Sequence, residues 1–305
     1  MGPLAAAARD HLVGMAVPEI TIGKPRARAE YAVPAKRSVT TADEASFEAE
    51  AGGAVAASQS SLERLLRVID LFTPERPQWT ADEIGDAMGV SRATQYRYLR
   101  RLTAAGLLAA AGDGSYRLGP RFIVIDRQIR LSDPLLQSGP PAMARACREL
   151  GHAQLLCTYF GNQVLCIHQE TVDPSIRSSM ERGRPFPLFR GSPSRSILAW
   201  LPDVQLRNLF LAHAPAIREA GLGGTWNEFR QWTRKVRAEG YYVGRGEIDR
   251  DLMGVAVPIL RASGGLVGSL TTIMPLHELA PEELQRYVRV TRAAAEEIAT
   301  HLDRR

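Results

Sequence analysis

The sequence predicts an α+β fold in two parts: a small unit of three helices closed by a β-hairpin, then a larger unit of alternating strands and helices. Three observations carry this. Between residues 60 and 106, apolar residues recur at helical spacing in three segments, each opening on a Ser or Thr that can cap it. Asp113-Gly114 lies between two short runs and marks a tight hairpin turn. From about 138 onward, β-rich runs alternate with amphipathic stretches, the order expected of a sheet with helices packed against it.

The chain has 305 residues, enough for two domains of ~100–200 residues each. Hydrophobic content of 45% and charged content of 23% are those of an ordinary globular protein. The net charge of +5 is too small by itself to argue for a nucleic-acid partner. Its distribution says more. Acids slightly outnumber bases over 1–57, so the basic surplus lies downstream. The three cysteines, Cys147, Cys157 and Cys166, are odd in number and form no C-x-x-C pair, which points to reduced thiols in a cytoplasmic protein. Cys166 and His168 form a C-x-H pair, but no second ligand pair has usable spacing, so no metal is expected. No apolar run approaches the ~18 residues of a membrane helix. The first thirty residues lack the apolar core of a signal peptide.

Residues 1–57, rich in Ala, Gly, Pro and Glu without a sustained period, read as a disordered extension with transient helix around 41–51. Ser60 and Glu63 fit a capping box ahead of Leu62, Leu65, Leu66, Ile69 and Phe72, and Pro74 and Pro77 end that helix. Thr80 and Glu83 form a second capping box for "ADEIGDAM", which Gly89 stops. Ser91 caps a third helix running to Gly106. "LLAAAGDGSYRLG" then folds back on itself. Helices two and three around the Gly89-Val90-Ser91 turn, followed by the hairpin, make 58–119 a winged helix-turn-helix. Helical spacing over 120–137 predicts a linker helix, and 138–305 the second domain. There, "HAQLLCTYFGNQVLCIHQE" reads as a hairpin around Gly161-Asn162. Residues 203–214 and 227–239 read as amphipathic helices, 252–260 and 265–274 as strands, and 281–303 as a closing helix that begins at Pro281.

The third helix lies in "GVSRATQYRYLRRLTAAG", which holds four arginines and no acid. Alone, such a run is a solvated helix face. Placed second in a helix-turn-helix and followed by a wing, it reads as the helix that enters the major groove. Arg92, Thr94, Gln95, Tyr96 and Arg97 are then candidates for base edges, Arg for guanine and Gln for adenine. Thr80, Ser91, Arg100 and Arg101 are candidates for the DNA backbone, while Ser115 and Arg117 at the wing tip would touch an adjacent backbone or minor groove. Tyr98, Leu99 and Leu102 should face the core.

These segments resemble the IclR family of bacterial transcriptional regulators. The resemblance covers about 60–303. "SLERLLRVIDLF", "TADEIGDAMGVSRATQYRYLRRLTAAGLL" and "GSYRLGPR" look like its winged-helix module. "PLFRGSPSRSILAWLP", "EGYYVGRGEIDRDLMGVAVPIL", "GLVGSLTTIM" and "LAPEELQRYVRVTRAAAEEIATHL" are similar to segments of its second domain. The resemblance implies a GAF-like domain that binds a small-molecule effector, homodimers that pair again into dimers of dimers, and a double-stranded, pseudo-palindromic operator DNA. It implies no cofactor. It places Ser192 and Pro193 near the ligand, with the backbone N–H groups at the following helix start suited to a carboxylate. Gly244, Gly254, Thr271 and Ile273 match the strand-side positions. In relatives that take small acids the first of these is usually acidic, the second often Cys and the last two often Ser. Two glycines and an Ile here imply more room and less polarity, hence a larger, partly aromatic effector with or without a carboxylate. Met180, Phe189 and Ile248 would be apolar walls and Arg190 an anion partner; Arg195, also basic, matches a family position that can be structural.

The competing reading is an enzyme built on Cys157, Cys166, His152, His168, Asp249 or Asp251. No triad, metal signature or G-x-S-x-G elbow joins them, so no catalytic residue is assigned.

Overall fold

The computed structural model describes residues 60–161, 163–172, 181–277 and 280–304. The extension expected over 1–57 and the candidate wall Met180 lie outside these residues.

The first unit opens with helix α1, Ser61–Asp70. Strand β1, Trp79–Thr80, leads into α2, Ala81–Met88, where both arms of the Thr80/Glu83 capping box are present. Gly89 ends α2 with φ +59°, a left-handed conformation that favours glycine. Helix α3, Arg92–Ala104, starts at Ser91, whose hydroxyl accepts from the Thr94 N–H. Strands β2, Leu108–Ala110, and β3, Ser115–Leu118, form the wing. β1 pairs on the other side of β3, giving the order β1-β3-β2. Two residues were too short a signal for β1 to be read from the sequence. Val68, Phe72, Ile84, Tyr98, Leu99, Leu102 and Leu108 form the core of this unit.

The linker expected as one helix over 120–137 is two: α4, Arg121–Ser132, and α5, Pro134–Leu150. The cause is local. A residue before proline is pushed out of helical conformation, and Asp133 is extended at ψ 116°. Its side chain accepts from the Leu135 N–H and so caps α5. No residue of α4 is buried.

The second unit is a six-stranded sheet in the order β6-β5-β4-β9-β8-β7, antiparallel throughout. Its strands are β4 Ala153–Phe160, β5 Gln163–Glu170, β6 Pro185–Phe186, β7 Tyr242–Arg245, β8 Leu252–Leu260 and β9 Leu266–Pro275. The helices are α6 Ser192–Trp200, α7 Asp203–Glu219, α8 Trp226–Glu239 and α9 Leu284–Asp303, the last preceded by a 3-10 turn at Pro281–Glu283. Alternation along each strand sends neighbours to opposite faces. Leu155 and Cys157 join Ile197, Leu206, Ile217 and Phe229 under α6, α7 and α8. Leu156 joins Met143, Ala146, Ile298 and Leu302 under α5 and α9. Helix α7 kinks at His213, two residues ahead of Pro215, which cannot donate to the turn before it.

Candidate nucleic-acid interface and effector site

Helix α3 divides cleanly by spacing. Gln95, Tyr98, Leu99 and Leu102 recur at i, i+3, i+4, i+7 and are buried. Arg92, Tyr96, Arg97, Arg100 and Arg101 are exposed on the opposite side. Tyr96, Arg97, Arg100, Arg101 and Ala104 line an open groove of about 560 Å³. This face is a cationic, aromatic-bearing strip about three turns long, fixed to the core by its reverse side.

Two sequence-assigned contacts change role. Gln95 is only 3% exposed, and its Nε2 donates to the Ala81 carbonyl. It ties α3 to the start of α2 and cannot reach a base. A Cβ on Gly85 would meet Gln95 Oε1 at 2.4 Å, so glycine there lets the two helices close on this amide. Ser115 is 5% exposed and bonds inward, its hydroxyl 2.6 Å from Asp113 Oδ1 and 3.3 Å from Gln78 Oε1. It shapes the wing turn. Arg117 is exposed on β3. Thr80 and Ser91 are exposed but already used as caps, Thr80 donating to Glu83 Oε2 at 2.9 Å and Ser91 to Thr94 Oγ1 at 3.2 Å. Thr94 is half-buried. Arg92 lies 3.5 Å from Asp82 Oδ1, an acid that α2 brings beside the acid-free helix. Both side chains are largely exposed, so the pair is worth at most about 1 kcal/mol and yields readily to phosphate.

The second cluster forms where α6 starts above β7, β8 and β9. Gly244, Gly254 and Ile273 lie in one row across the three strands. Ser192 sits on this row and donates from Oγ to the Gly254 carbonyl at 3.0 Å. A Cβ on either glycine would stand 2.6 Å from that Oγ, and on Gly254 also 3.0 Å from Ile273 Cδ1. The glycines therefore do not open extra room, as the sequence suggested. They let the first turn of α6 press onto the strands. Ser269 adds a second tie, donating to the Pro193 carbonyl at 3.3 Å.

At the start of α6 the Gly191 N–H is already taken. Glu247 Oε2 accepts from the Gly191 N–H at 2.8 Å and lies 3.1 Å from Arg195 Nε. Its Oε1 accepts from the Tyr242 hydroxyl at 2.7 Å. Burial, and the hydrogen bond it donates to Glu247, push the Tyr242 phenol up to about 12, so it stays a donor at neutral pH. Arg195 also donates from Nη1 to the Tyr242 oxygen, from Nε to the Phe189 carbonyl at 3.2 Å and from Nη2 to the Ala220 carbonyl at 2.7 Å. Each of its three nitrogens thus donates inside the fold. Sequence reading missed Glu247 and Tyr242 because no short spacing links them to residues 191–195.

Phe189 is partly buried and lies 5.8 Å from the His213 ring at the α7 kink. Ile248 packs on Gly191, while Arg190 is exposed. The hydroxyls of Ser194, Ser196 and Thr271 are buried without a hydrogen-bond partner. Register places Thr271 on the face of β9 shared with Ser269 and Ile273. Elsewhere, Cys147, Cys157 and Cys166 are free and buried, with burial pushing the Cys157 thiol well up. His168 contacts Glu170 at 2.9 Å. Among the described residues no group of three metal-ligating side chains comes together, and no helix is long and apolar enough to cross a membrane.

Two family models match the chain. That for the C-terminal domain of the bacterial transcriptional regulator IclR matches residues 131–300, and that for the IclR helix-turn-helix domain matches 61–111. The Pca regulon regulatory protein of Pseudomonas putida is 29% identical over 247 residues, spanning 80% of this chain and 84% of that protein. The transcriptional regulator KdgR of Escherichia coli is 22% identical over 247 residues, 80% of this chain and 93% of its own. An IclR homolog from Microbacterium hydrocarbonoxydans, solved in complex with 4-hydroxybenzoate, shares the fold with TM-score 0.65 at 24% identity, covering 81% of this chain and 100% of that one. The Thermotoga maritima IclR does so with TM-score 0.61 at 20% identity, covering 80% and 98%.

Proposed function

The chain belongs to the IclR family of transcriptional regulators, with a helix-turn-helix DNA-binding domain and a C-terminal effector domain, and we propose that it controls a catabolic operon in response to an aromatic or partly apolar organic effector. The observation that carries the reading is the exposed face of α3. Arg92, Tyr96 and Arg97 are presented to base edges and Arg100 and Arg101 to phosphate, with the core anchoring the opposite side. Thr94 joins the base-edge set, and Arg117 on the wing, with Thr80 and Ser91 at the helix starts, completes the backbone contacts.

Phe189, Ile248, Ile273 and Thr271, with Ser192, Pro193, Gly244 and Gly254 as the floor, bound the effector site, and Arg190 lies at its rim. Support for an aromatic effector comes from this lining and from a fold neighbour that was solved with 4-hydroxybenzoate. Two copies pair into a homodimer and dimers pair again. Exposed apolar residues on α4 (Ile123, Val124, Ile129 and Leu131) and on α1 (Leu62 and Leu66) support pairing in the first unit. The protein acts in the cytoplasm, on the nucleoid when DNA-bound, and carries out no catalysis. The effector biases one arrangement of the paired domains, which changes how two α3 helices match their half-sites.

An electrophoretic mobility shift with DNA upstream of the protein's own gene tests this. A specific complex at moderate salt, altered by effector, is expected. Binding to that DNA no tighter than to unrelated DNA would overturn the reading.

A further inference from the structure

We infer that Cys157 and Cys166 are a redox site: hydrogen peroxide joins them in an intramolecular disulfide, and the disulfide alters the hold of the sheet on helix α4. The two residues face each other across β4 and β5. The backbone of Cys166 points the other way. Its N–H donates to the Arg184 carbonyl at 3.5 Å, and its carbonyl accepts from the Gly183 N–H at 2.8 Å. Cys157 and Cys166 are therefore a facing pair without backbone hydrogen bonds between them, the kind whose Cα atoms stand about 4.5 Å apart and whose side chains lie closest. A disulfide needs Cα atoms about 4.4–6.8 Å apart, so this one closes with little movement of either strand. Both side chains belong to one buried cluster under α6, α7 and α8, and the Cys157 thiol donates a hydrogen bond to the Cys166 sulfur.

That hydrogen bond selects the nucleophile. Accepting it holds the Cys166 thiol below its usual range, while burial pushes Cys157 up. The Cys166 sulfur attacks one peroxide oxygen, the O–O bond breaks, and the departing hydroxide takes the Cys166 proton and leaves as water. The Cys157 sulfur then attacks the Cys166 sulfenic acid. The S–S bond forms, the S–O bond breaks, and the second hydroxide leaves as water with the Cys157 proton. Two thiols are oxidised and one peroxide is reduced. Both side chains are buried, so the oxidant enters when the strands open locally. The pair lies near a sheet edge, where the outer neighbour of β5, strand β6, is only two residues long, and segments held by few bonds open most readily. Cys147 is on α5, outside this cluster, with the Val172 backbone as a hydrogen-bond partner; it stays a thiol.

The consequence follows from the neighbours. Arg182, next to Gly183, donates to the Ile167 carbonyl on β5 and to Asp126 on α4. A disulfide at Cys166 fixes β5 to β4 beside that tie. This second step rests on the DNA-binding reading.

The test treats the full chain with hydrogen peroxide, caps the remaining thiols with N-ethylmaleimide in denaturant, and reads linked peptides by mass. The expected product has Cys157 and Cys166 in one linked pair, Cys147 capped, and both thiols restored by dithiothreitol. Affinity for DNA upstream of the protein's own gene, read by fluorescence anisotropy, is expected to differ between oxidised and reduced protein by about two- to fivefold. Cys157→Ala and Cys166→Ala, each checked for folding by thermal unfolding, should show neither effect. Absence of the linked pair in wild type whose methionines have become oxidised would overturn the inference. So would a linked protein that binds the DNA within about twofold of the reduced form, or an affinity change that persists in both variants. No specific complex with either form would overturn the regulator reading and the second step with it, while the mass measurement still decides the disulfide.

Discussion

Gln95 and its neighbours show how one turn of helix separates structure from recognition. Gln95→Ala removes the side-chain donor to the Ala81 carbonyl and leaves a gap against Gly85. The expected loss is about 1–3 kcal/mol of folding stability with operator preference unchanged, read from urea unfolding alongside binding to specific and scrambled DNA. Arg92→Ala and Arg97→Ala should do the reverse, each costing about 1–3 kcal/mol of specific affinity while the melting temperature holds. Arg100→Ala should weaken binding to all sequences and flatten the salt dependence by about one charge. The sequence contained the evidence for this division. Residues 95, 98, 99 and 102 repeat as a core stripe does, and spacing is a stronger guide than the chemistry of glutamine. The burial of Ser115 was less legible, because it depends on Gln78, 37 residues away.

Elements were most legible where their ends carry their own chemistry. The Thr80/Glu83 box, the Ser91 cap and the Gly89 stop are all local, and all are seen. Ser91→Ala removes the cap of α3 and should cost about 1 kcal/mol, measurable by thermal unfolding. The Glu83 carboxyl is held below the usual range, first by the Thr80 N–H and then by its hydroxyl. The stability it contributes is therefore present above the ordinary carboxylate pKa and lost as pH falls through the lowered value. Proline at 134 is equally visible and ends α4, yet the apolar spacing continues past it and by itself predicts one helix. The row Gly244, Gly254, Ile273 was recognisable only as positions. Its meaning depends on Ser192, brought over it from another element. Gly254→Ala should destabilise by about 1–3 kcal/mol, because its Cβ meets Ser192 and Ile273 together. Adding Ser192→Ala should recover part of that loss, and a double-mutant cycle of unfolding free energies would show the coupling.

For the whole molecule, the question is how an event in the sheet reaches DNA. Helix α4 follows the wing and buries none of its residues, so few contacts fix its position. One of them leads to the sheet. Arg182 donates from Nη2 to Asp126 Oδ1 on α4 at 2.5 Å and from Nε to the Ile167 carbonyl on β5 at 2.7 Å. Asp126 also accepts from Arg130, one turn along α4, at 2.9 Å. An exposed pair of this kind is worth at most about 1 kcal/mol, too little to decide folding. It is large enough to bias a two-state equilibrium about fivefold. Arg182→Ala is therefore expected to change operator affinity without effector, and effector affinity without operator, by no more than about fivefold each. The factor by which each ligand changes the other's affinity should shrink, equally in both directions because linkage is reciprocal. Operator titrations by fluorescence anisotropy, with and without an aromatic compound first shown by calorimetry to bind this protein, measure that factor. Hydrogen bonds from Arg182 and then Arg130 hold the Asp126 carboxyl below its usual range. The tie thus persists above the ordinary carboxylate pKa and weakens as pH falls through the lowered value, so wild-type coupling should decline on the acid side while the Arg182→Ala value stays flat. Equal coupling in the two proteins across that range would mean that the signal crosses α4 by another route.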